Sequence, residues 1–380
     1  MKYFTEEQIN KIRNGYYSAV YFNRTKEILL KEKNLVSVAM QIFQKNEGSM
    51  LCGVEEVKEM IQCTMHNAQW KKIKIESLKD GDRIGKGETV MHITGPYVYF
   101  AHLESIYLGI LARRTLVATN TKRAVEAAEG KPVIFFADRF DYFLNQQGDG
   151  YAAHRGGASG VCTQAHAAWF DGKPVGTLPH ALIAVCNGNT VTAAELFSKY
   201  YPDVNLITLV DFENDCVRTA LEVAKKLGKK LWGVRIDTSQ NLIDNGLKST
   251  SSVILGRTPI GSGDDSRIRL MKKDSGRPRQ GGVARMTDLS GVNPDLVKLV
   301  RKALDQEGFS YVKIVVSGGF NPERIKEFED EKTPIDVYGV GTALIHGAND
   351  FTADIVMVDG KKIAKAGREF KKLSKFVQLD

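Results

Sequence analysis

Strand-like and helix-like segments alternate along residues 131–341, and this alternation constrains the fold more than any other feature of the sequence. The strand-like segments are short apolar runs, among them 131–138, 205–211 and 230–237. Continuous apolar runs are typical of strands in parallel sheets, because helices cover such sheets on both faces. We therefore predict an irregular parallel α/β barrel, with an open doubly wound sheet as the alternative.

The flanking segments predict a small open-faced α+β domain. Residues 5–45 carry apolar positions at helical spacing and predict a helix. Residues 49–100 contain short β-prone pieces separated by glycine turns, and residues 101–128 return to a helical pattern. The last segment predicts a β-hairpin that joins this smaller domain. The predicted domains are residues 1–125 completed by 348–380, and residues 126–347 with an inserted loop at 239–290.

Composition limits the classes of protein to which the chain can belong. Of the 380 residues, 43% are hydrophobic and 26% are charged, as in ordinary globular proteins. No apolar run approaches the roughly 18–20 residues that span a bilayer, and the polar N-terminus predicts no secretory signal. The five cysteines are scattered without a CxxC pair, so we expect no disulfide framework and a cytoplasmic location.

The formal net charge of +8 raises the question of nucleic-acid binding. The lysines and arginines are spread along the chain, however, and the aromatic-plus-basic signatures of RNA-binding modules are missing. A protein that handles small phosphorylated substrates is equally consistent with this charge. We favour that interpretation and expect no nucleic-acid partner, with a basic nucleic-acid-binding protein as the distant alternative.

Polar and glycine residues stand at the carboxyl ends of the predicted strands, where α/β barrels place their reactive groups. Arginines can clamp anions there, and carboxylates can hold a hydrated Mg²⁺ ion or ribose hydroxyls. Glycine-rich loops that precede helices expose N–H groups that bind phosphate. The strand-end residues are Asp138, Arg139, Thr177, His180, Asp211, Glu213, Arg235, Asp237, Ser317, Gly318, Gly319, Gly339, Val340, Gly341 and Thr342.

The two glycine-rich ends, SGG at 317–319 and GVGT at 339–342, follow consecutive strands. This arrangement matches the usual phosphate site of an α/β barrel and predicts a phosphorylated ligand. No GxxxxGK[ST] loop is present, so the chain is not a P-loop NTPase, and no HExxH motif predicts a metal held by the protein. The sequence around His180 does not by itself distinguish a structural histidine from a reactive one.

The combination of motifs resembles that of the nicotinate phosphoribosyltransferases, especially their short archaeal-like branch, whose fold is shared with quinolinate phosphoribosyltransferase. The resemblance covers nearly the whole chain. It implies an ATP-coupled enzyme, classed as a ligase, that makes nicotinate mononucleotide and pyrophosphate from nicotinate and phosphoribosyl pyrophosphate in NAD salvage. It rests on the order of AVYFNRT, FADRF, GTLPHAL, LVDFEND, GVRIDTS, VSGGF and YGVGTAL.

The resemblance assigns roles to individual residues. Tyr21 corresponds to an aromatic that stacks on the pyridine ring, and it implies a homodimer or higher oligomer with shared active sites. Arg139 and Arg235 correspond to residues that face the nicotinate carboxylate and the phosphoribosyl substrate. Asp237 would lie near the ribose and the Mg²⁺ that accompanies phosphoribosyl pyrophosphate, and ATP would phosphorylate His180. Further expected contacts are Thr177, Asp211 and Arg155 for the substrates, and Ser317, Gly318, Gly319, Gly339, Gly341 and Thr342 for the 5′-phosphate.

The chain also departs from the family pattern. Ala19 stands where an acidic residue is expected, and Phe140 follows Arg139 where paired arginines are common. The insertion is longer than in the family pattern, and no cysteine follows Cys216, so we expect no structural zinc. Because of these departures, nicotinamide and quinolinate remain alternative substrates in place of nicotinate. The arginines expected to compensate are Arg155, Arg257, Arg277 and Arg279.

Overall fold

The computed structural model describes residues 2–248, 289–373 and 377–378. The chain divides into two compact units, residues 1–175 with 340–380 and residues 176–339. The predicted domain boundaries near residues 125 and 348 stay a prediction. Most of the predicted insertion lies outside the described residues, including Arg257, Arg277 and Arg279.

The described chain contains both α-helices and β-strands. The helices are α1 (Glu6–Arg13), α2 (Val20–Lys31), α3 (Val54–Thr64), α4 (Asn67–Trp70), α5 (Glu104–Ala127), α6 (Gln146–Arg155), α7 (Gln164–Ala167), α8 (His180–Val185), α9 (Thr190–Tyr200), α10 (Cys216–Leu227), α11 (Pro294–Gln306) and α12 (Pro322–Asp330). The strands are β1 (Ser37–Gln44), β2 (Ser49–Met50), β3 (Lys74–Ser77), β4 (Arg83–Ile84), β5 (Thr89–Pro96), β6 (Val133–Phe135), β7 (Gly160–Val161), β8 (Leu206–Leu209), β9 (Leu231–Ile236), β10 (Lys313–Val316), β11 (Val337–Val340), β12 (Phe351–Val358) and β13 (Val377–Gln378). None of the described helices combines the length and apolar character needed to cross a bilayer.

The first unit is built on a five-stranded antiparallel sheet in the order β12-β1-β5-β3-β13. Its core includes Ile42 and Ile93 from the sheet and Tyr107 and Leu111 from α5, all fully buried. Each fully buried aliphatic side chain of this kind stabilises the fold by about 1.5–3 kcal/mol relative to leaving it exposed. The unit also contains the antiparallel pair β2-β4 and the parallel pair β6-β7.

The prediction of a helix through residue 45 is wrong from Ser37 onward. This stretch forms β1, which pairs with β5 on one side and β12 on the other. The physical reason is that a short apolar run is ambiguous between helix and strand until tertiary pairing decides. A central place in the sheet buries Val38, Met40 and Ile42 of β1.

The C-terminal segment joins the sheet of the first unit, because β12 runs antiparallel to β1. The second half of the predicted hairpin is wrong. After the turn at Asp359-Gly360, residues 362–373 form no regular strand, and the chain next pairs with the sheet through β13 along β3.

The second unit is a parallel α/β layer in which β8, β9, β10 and β11 lie side by side in that order. All four residues of β8 and of β11 are buried, as a sheet covered by helices requires. Asn189, Asn293 and Asn321 cap α9, α11 and α12, since each accepts a hydrogen bond from an N–H group of the first turn of its helix. The predicted α/β class with a small antiparallel sheet is confirmed.

Candidate functional site

Arg235 connects the carboxyl ends of β9 and β10 with the irregular segment that precedes α8. Arg235 lies on β9, and its Nε donates to Ser317 Oγ after β10 at 2.7 Å. Its Nη1 donates to Thr177 Oγ1 at 3.0 Å, and its Nη2 to Asp237 Oδ2 at 3.0 Å. Ser317 Oγ in turn donates to Asp237 Oδ1 at 2.7 Å. These four residues form the Arg235 network, which the structure brings together from segments that are far apart in sequence.

The Arg235 network is suited to an anion. Only 17% of the Arg235 side chain and 18% of the Asp237 side chain are exposed, so their charges interact in a partly desolvated setting. Arg235 and Asp237 stand two residues apart on an extended segment, which places both on one face. A planar guanidinium held by three partners is preorganised to bind a phosphate or carboxylate.

His180 pairs with Asp211. His180 Nε2 lies 3.1 Å from both carboxylate oxygens of Asp211, whose side chain is only 7% exposed. The hydrogen bond to Asp211 raises the pKa of His180 above its ordinary value, against the opposing effect of burial. The charge of Asp237 also raises the pKa of His180, and the charge of Arg235 lowers it. His180 therefore interacts electrostatically with the Arg235 network.

The segment that leads to His180 is not a strand, so the prediction of an apolar strand ending at Thr177 is wrong. Residues 173–179 form no regular element, and α8 begins at His180. Pro174 and Pro179 lack the N–H group that a sheet ladder needs, which explains the absence of a strand. Leu178 N instead donates to Ile207 O at 2.9 Å, and this contact holds the segment against β8.

The loop after β10 has the geometry of a phosphate cradle. Gly318 and Gly319 adopt φ values of +89° and +78°, in the left-handed region that other residues avoid. A Cβ on Gly319 would lie 2.4 Å from Gln240 Nε2, so a side chain there would displace the Gln240 amide. The N–H groups of residues 318–321 donate to no other group within the described part of the chain. They precede α12, where the helix dipole also favours an anion.

The other predicted residues lie at strand or helix ends. Tyr21 on α2 is 64% exposed, and its ring lies 4.4 Å from that of Phe22. Arg139 follows β6 and is exposed, while Arg155 ends α6 and donates to the carbonyl of Asp80. These three residues belong to the first unit. Gly341 and Thr342, which follow β11, belong to it as well. Gly339 is buried within β11 and belongs to the second unit.

Sequence reasoning missed Arg324 and Gln240. Arg324 donates from Nη1 to the carbonyl of Gly318 at 2.7 Å, directly behind the phosphate cradle. Its sequence signal was an arginine in the first turn of α12, which is an unfavourable place for a cation in the field of the helix dipole. Gln240, against Gly319, follows β9 in a segment without a recognisable motif, and no signal in the sequence identified it.

Comparison with known proteins agrees with this geometry. Residues 19–115 match the model of the family described as quinolinate phosphoribosyl transferase, N-terminal domain. Among curated proteins, the nicotinate phosphoribosyltransferase pncB2 of Mycobacterium tuberculosis is 26% identical over 291 residues, covering 74% of this chain and 51% of that protein. The nicotinate phosphoribosyltransferase of Bacillus subtilis is 24% identical over 71% of this chain and 45% of that protein. The chain thus spans about half the length of these curated relatives.

Solved structures show the same relationship over nearly the whole chain. Nicotinate-nucleotide pyrophosphorylase from Pyrococcus furiosus is 29% identical, with a TM-score of 0.74 over 99% of this chain and 85% of that one. Human nicotinic acid phosphoribosyltransferase shares the fold at 13% identity, with a TM-score of 0.64 over 93% of this chain and 77% of that one. The chain is therefore similar in sequence and in fold to nicotinate and quinolinate phosphoribosyltransferases.

Proposed function

We propose that this protein is a nicotinate phosphoribosyltransferase of NAD biosynthesis. It transfers the phosphoribosyl group of phosphoribosyl pyrophosphate to nicotinate and couples the reaction to ATP through His180. The main support is the Arg235 network beside the Gly318-Gly319 loop. It combines a preorganised cation with N–H groups that have no partner among the described residues. The names of the curated relatives support the choice of nicotinate.

The transfer itself breaks the bond between ribose C1 and a pyrophosphate oxygen and forms a bond from C1 to the pyridine nitrogen. The leaving pyrophosphate takes the electron pair of the broken bond. We assign Arg235 to the negative charge that develops on this group, and the 318–321 N–H groups to the 5′-phosphate. The protein thus orients two reactants and stabilises a leaving group, without a covalent bond to the ribose.

Magnesium fits this site as a companion of the substrate. Within the described ranges, no three histidine, cysteine or acidic side chains come together as a metal site. Mg²⁺ usually keeps several waters and takes only one or two carboxylates besides phosphate oxygens. Asp237 would supply such a carboxylate. When bound, Mg²⁺ adds positive charge at the leaving pyrophosphate.

The His180–Asp211 pair defines how ATP would be used. An ionised carboxylate only accepts hydrogen bonds, so Nε2 of His180 carries the hydrogen that faces Asp211. In the neutral imidazole, the lone pair then lies on Nδ1. We assign Nδ1 as the atom that attacks the γ-phosphorus of ATP, which forms an N–P bond and releases ADP. Hydrolysis of this phosphohistidine would return the imidazole and release inorganic phosphate.

Quinolinate is the second candidate base, because the family model that matches residues 19–115 is that of quinolinate phosphoribosyl transferase. Quinolinate has two carboxylates and would need more converging cations than nicotinate. Its reaction is driven by decarboxylation and would leave the His180–Asp211 pair without a role.

A direct assay distinguishes these bases. The chain is incubated with phosphoribosyl pyrophosphate and Mg²⁺, and with nicotinate, nicotinamide or quinolinate in separate reactions, each with and without ATP. We expect nicotinate mononucleotide from nicotinate, with a higher yield when ATP is present. Product from quinolinate alone, or no product from nicotinate, would contradict the proposal.

A second copy of the chain is the proposed partner at α2. This helix buries none of its own residues and exposes Val20, Tyr21 and Ile28 by 60% or more. We expect a homodimer by analytical ultracentrifugation, and Val20→Glu with Ile28→Glu is expected to shift the population toward monomer. Exposed Leu35 lies outside α2, so Leu35→Glu serves as the control. A monomeric wild-type chain would contradict this part of the proposal.

A further inference from the structure

We infer that Arg324 is a positioning residue that aims the N–H groups of the Gly318-Gly319 loop at the 5′-phosphate. The inference rests on the proposed function. It adds a residue that would not touch the substrate and would act through the backbone of the loop.

The guanidinium of Arg324 holds two backbone segments. Its Nη1 donates to the carbonyl of Gly318 at 2.7 Å, and its Nη2 donates to the carbonyl of Val292. The same guanidinium lies 4.5 Å from the centre of the Phe320 ring and 5.6 Å from that of Phe328. Two rings and two carbonyls thus determine the orientation of this planar group.

The planar peptide bond converts this contact into an orientation of the loop. In a trans peptide, the carbonyl of one residue and the N–H of the next point in opposite directions. The carbonyl of Gly318 points toward Arg324, so the N–H of Gly319 points away from it. Both glycines have positive φ, a conformation with broad freedom when it is not held by contacts. Arg324 therefore selects one orientation of the peptide out of several that glycine allows.

The charge of Arg324 is also placed to favour an anion at this loop. Burial lowers the pKa of Arg324, and Glu327 opposes that effect through its charge. An arginine nevertheless remains protonated at neutral pH. Next to the loop lies an open pocket of about 530 Å³ that Arg324, Gln240 and Gly319 help to line, together with the acidic Glu323 and Glu327. Arg324 offsets part of the negative charge of these two carboxylates. A cation at the N-terminal turn of α12 adds positive potential to that of the helix dipole.

Arg301 provides a matched control at the opposite end of the same strand. It donates from Nη1 to the carbonyl of Val312 at 2.6 Å and from Nη2 to the carbonyl of Phe309 at 3.0 Å. Both arginines are partly buried, and each donates to two backbone carbonyls. Arg301 binds carbonyls that precede β10, whereas Arg324 binds the carbonyl of Gly318, which follows β10. A purely structural role would give the two substitutions similar consequences.

The test compares Arg324→Met with Arg301→Met. Titration calorimetry with ribose 5-phosphate measures the affinity of the Gly318-Gly319 loop for a phosphate. Titration with pyrophosphate measures the affinity of the Arg235 network for the leaving group. We expect Arg324→Met to weaken ribose 5-phosphate binding about tenfold, with pyrophosphate binding unchanged. In steady-state assays, KM for phosphoribosyl pyrophosphate should rise while KM for nicotinate and kcat change little. Arg301→Met should leave both binding affinities, both KM values and kcat unchanged.

A conservative variant keeps the test informative if Arg324→Met does not fold, which circular dichroism would show. Arg324→Lys retains the charge and one donor toward Gly318, so we expect an intermediate loss of ribose 5-phosphate binding. Equal ribose 5-phosphate affinity in wild type and in the folded Arg324 variants would overturn the inference alone. A wild-type chain that binds neither ribose 5-phosphate nor phosphoribosyl pyrophosphate would overturn the proposed function as well.

Discussion

Replacing Arg235 by methionine is expected to lower kcat/KM for phosphoribosyl pyrophosphate by about 10²–10³-fold, the range found when a preorganised oxyanion donor is removed. Methionine keeps the length and the apolar stem of the side chain but removes the hydrogen bonds that Arg235 donates to Thr177, Asp237 and Ser317. The loss should appear in kcat as well as in KM, because charge on the pyrophosphate increases as its bond to ribose breaks. Steady-state kinetics with saturating nicotinate measures both quantities.

The same substitution should also destabilise the protein. Asp237 would keep its hydrogen bond from Ser317 but lose its cationic partner in a setting where only 18% of its side chain is exposed. An unpaired, partly buried charge of this kind costs about 1–3 kcal/mol. Thermal unfolding would show this as a lower Tm than that of wild type.

Arg218 offers a control for the Arg235 experiment. It lies on α10 in the same unit and is paired with Glu213, Asp215 and Glu222, but it is 47% exposed. Surface ion pairs contribute little, so Arg218→Met should leave kcat/KM and Tm close to wild type. Comparable kcat/KM values for the Arg235 and Arg218 variants would contradict the assigned role of Arg235.

Replacing His180 by alanine is expected to abolish the stimulation of the reaction by ATP while transfer without ATP continues. The substitution removes the only atom to which we assign phosphoryl transfer, but leaves the Arg235 network and the Gly318-Gly319 loop in place. Incubation with γ-labelled ATP should label wild type on histidine and leave His180→Ala unlabelled. His154→Ala, which changes an exposed histidine of the other unit, should be labelled like wild type. Undiminished ATP stimulation in His180→Ala would remove the phosphohistidine from the mechanism.

The pH dependence of the ATP effect follows from the His180–Asp211 pair. Attack on phosphorus needs the neutral imidazole, and Asp211 raises the pKa of His180. The ATP-stimulated rate should therefore rise as the pH rises through this raised pKa. Asp211→Asn removes the carboxylate, so the acidic limb of the profile should move to lower pH, toward the ordinary histidine value of about 6.5. An unchanged limb would show that a different group limits the rate.

The contribution of the His180–Asp211 pair to folding stability falls as the pH rises, whereas the ATP-stimulated rate rises. Because the folded-state pKa of His180 is raised, its pairing with Asp211 stabilises the fold fully below the unfolded pKa of about 6.5. This contribution disappears as the pH rises through the raised folded-state pKa. The difference in unfolding free energy between wild type and Asp211→Asn should thus be larger at acidic than at alkaline pH.

Local patterns in the sequence predicted much of the second unit correctly. Asn189, Asn293 and Asn321 cap their helices because capping depends on a side chain and an N–H group only a few residues apart. The strand ends were also identifiable, since apolar runs stop there and polar or glycine residues follow. Asp237 and Ser317 were therefore expected at one edge of the sheet.

Segments whose structure depends on distant partners were predicted less well. Residues 37–44 form a strand because β5 and β12 pair with them, and no local pattern announces those partners. Residues 173–177 look like a strand by composition, but Pro174 and Pro179 lack a hydrogen-bond donor. Isolated contacts from Val175 N to Val161 O and from Leu178 N to Ile207 O replace a strand ladder. Arg324 was overlooked because its role depends on a carbonyl six residues back that turns toward it.

The sequence by itself determined the α/β class, the order of the strand ends and the chemical types of the groups placed there. These features depend on apolar periodicity and on short-range capping, which are local properties of the chain. Only the tertiary structure decided that Arg235 binds Thr177 and Ser317, which are 58 and 82 residues away in sequence, and that His180 faces Asp211. Strand register and loop conformation determine such contacts, and both arise from packing between distant segments.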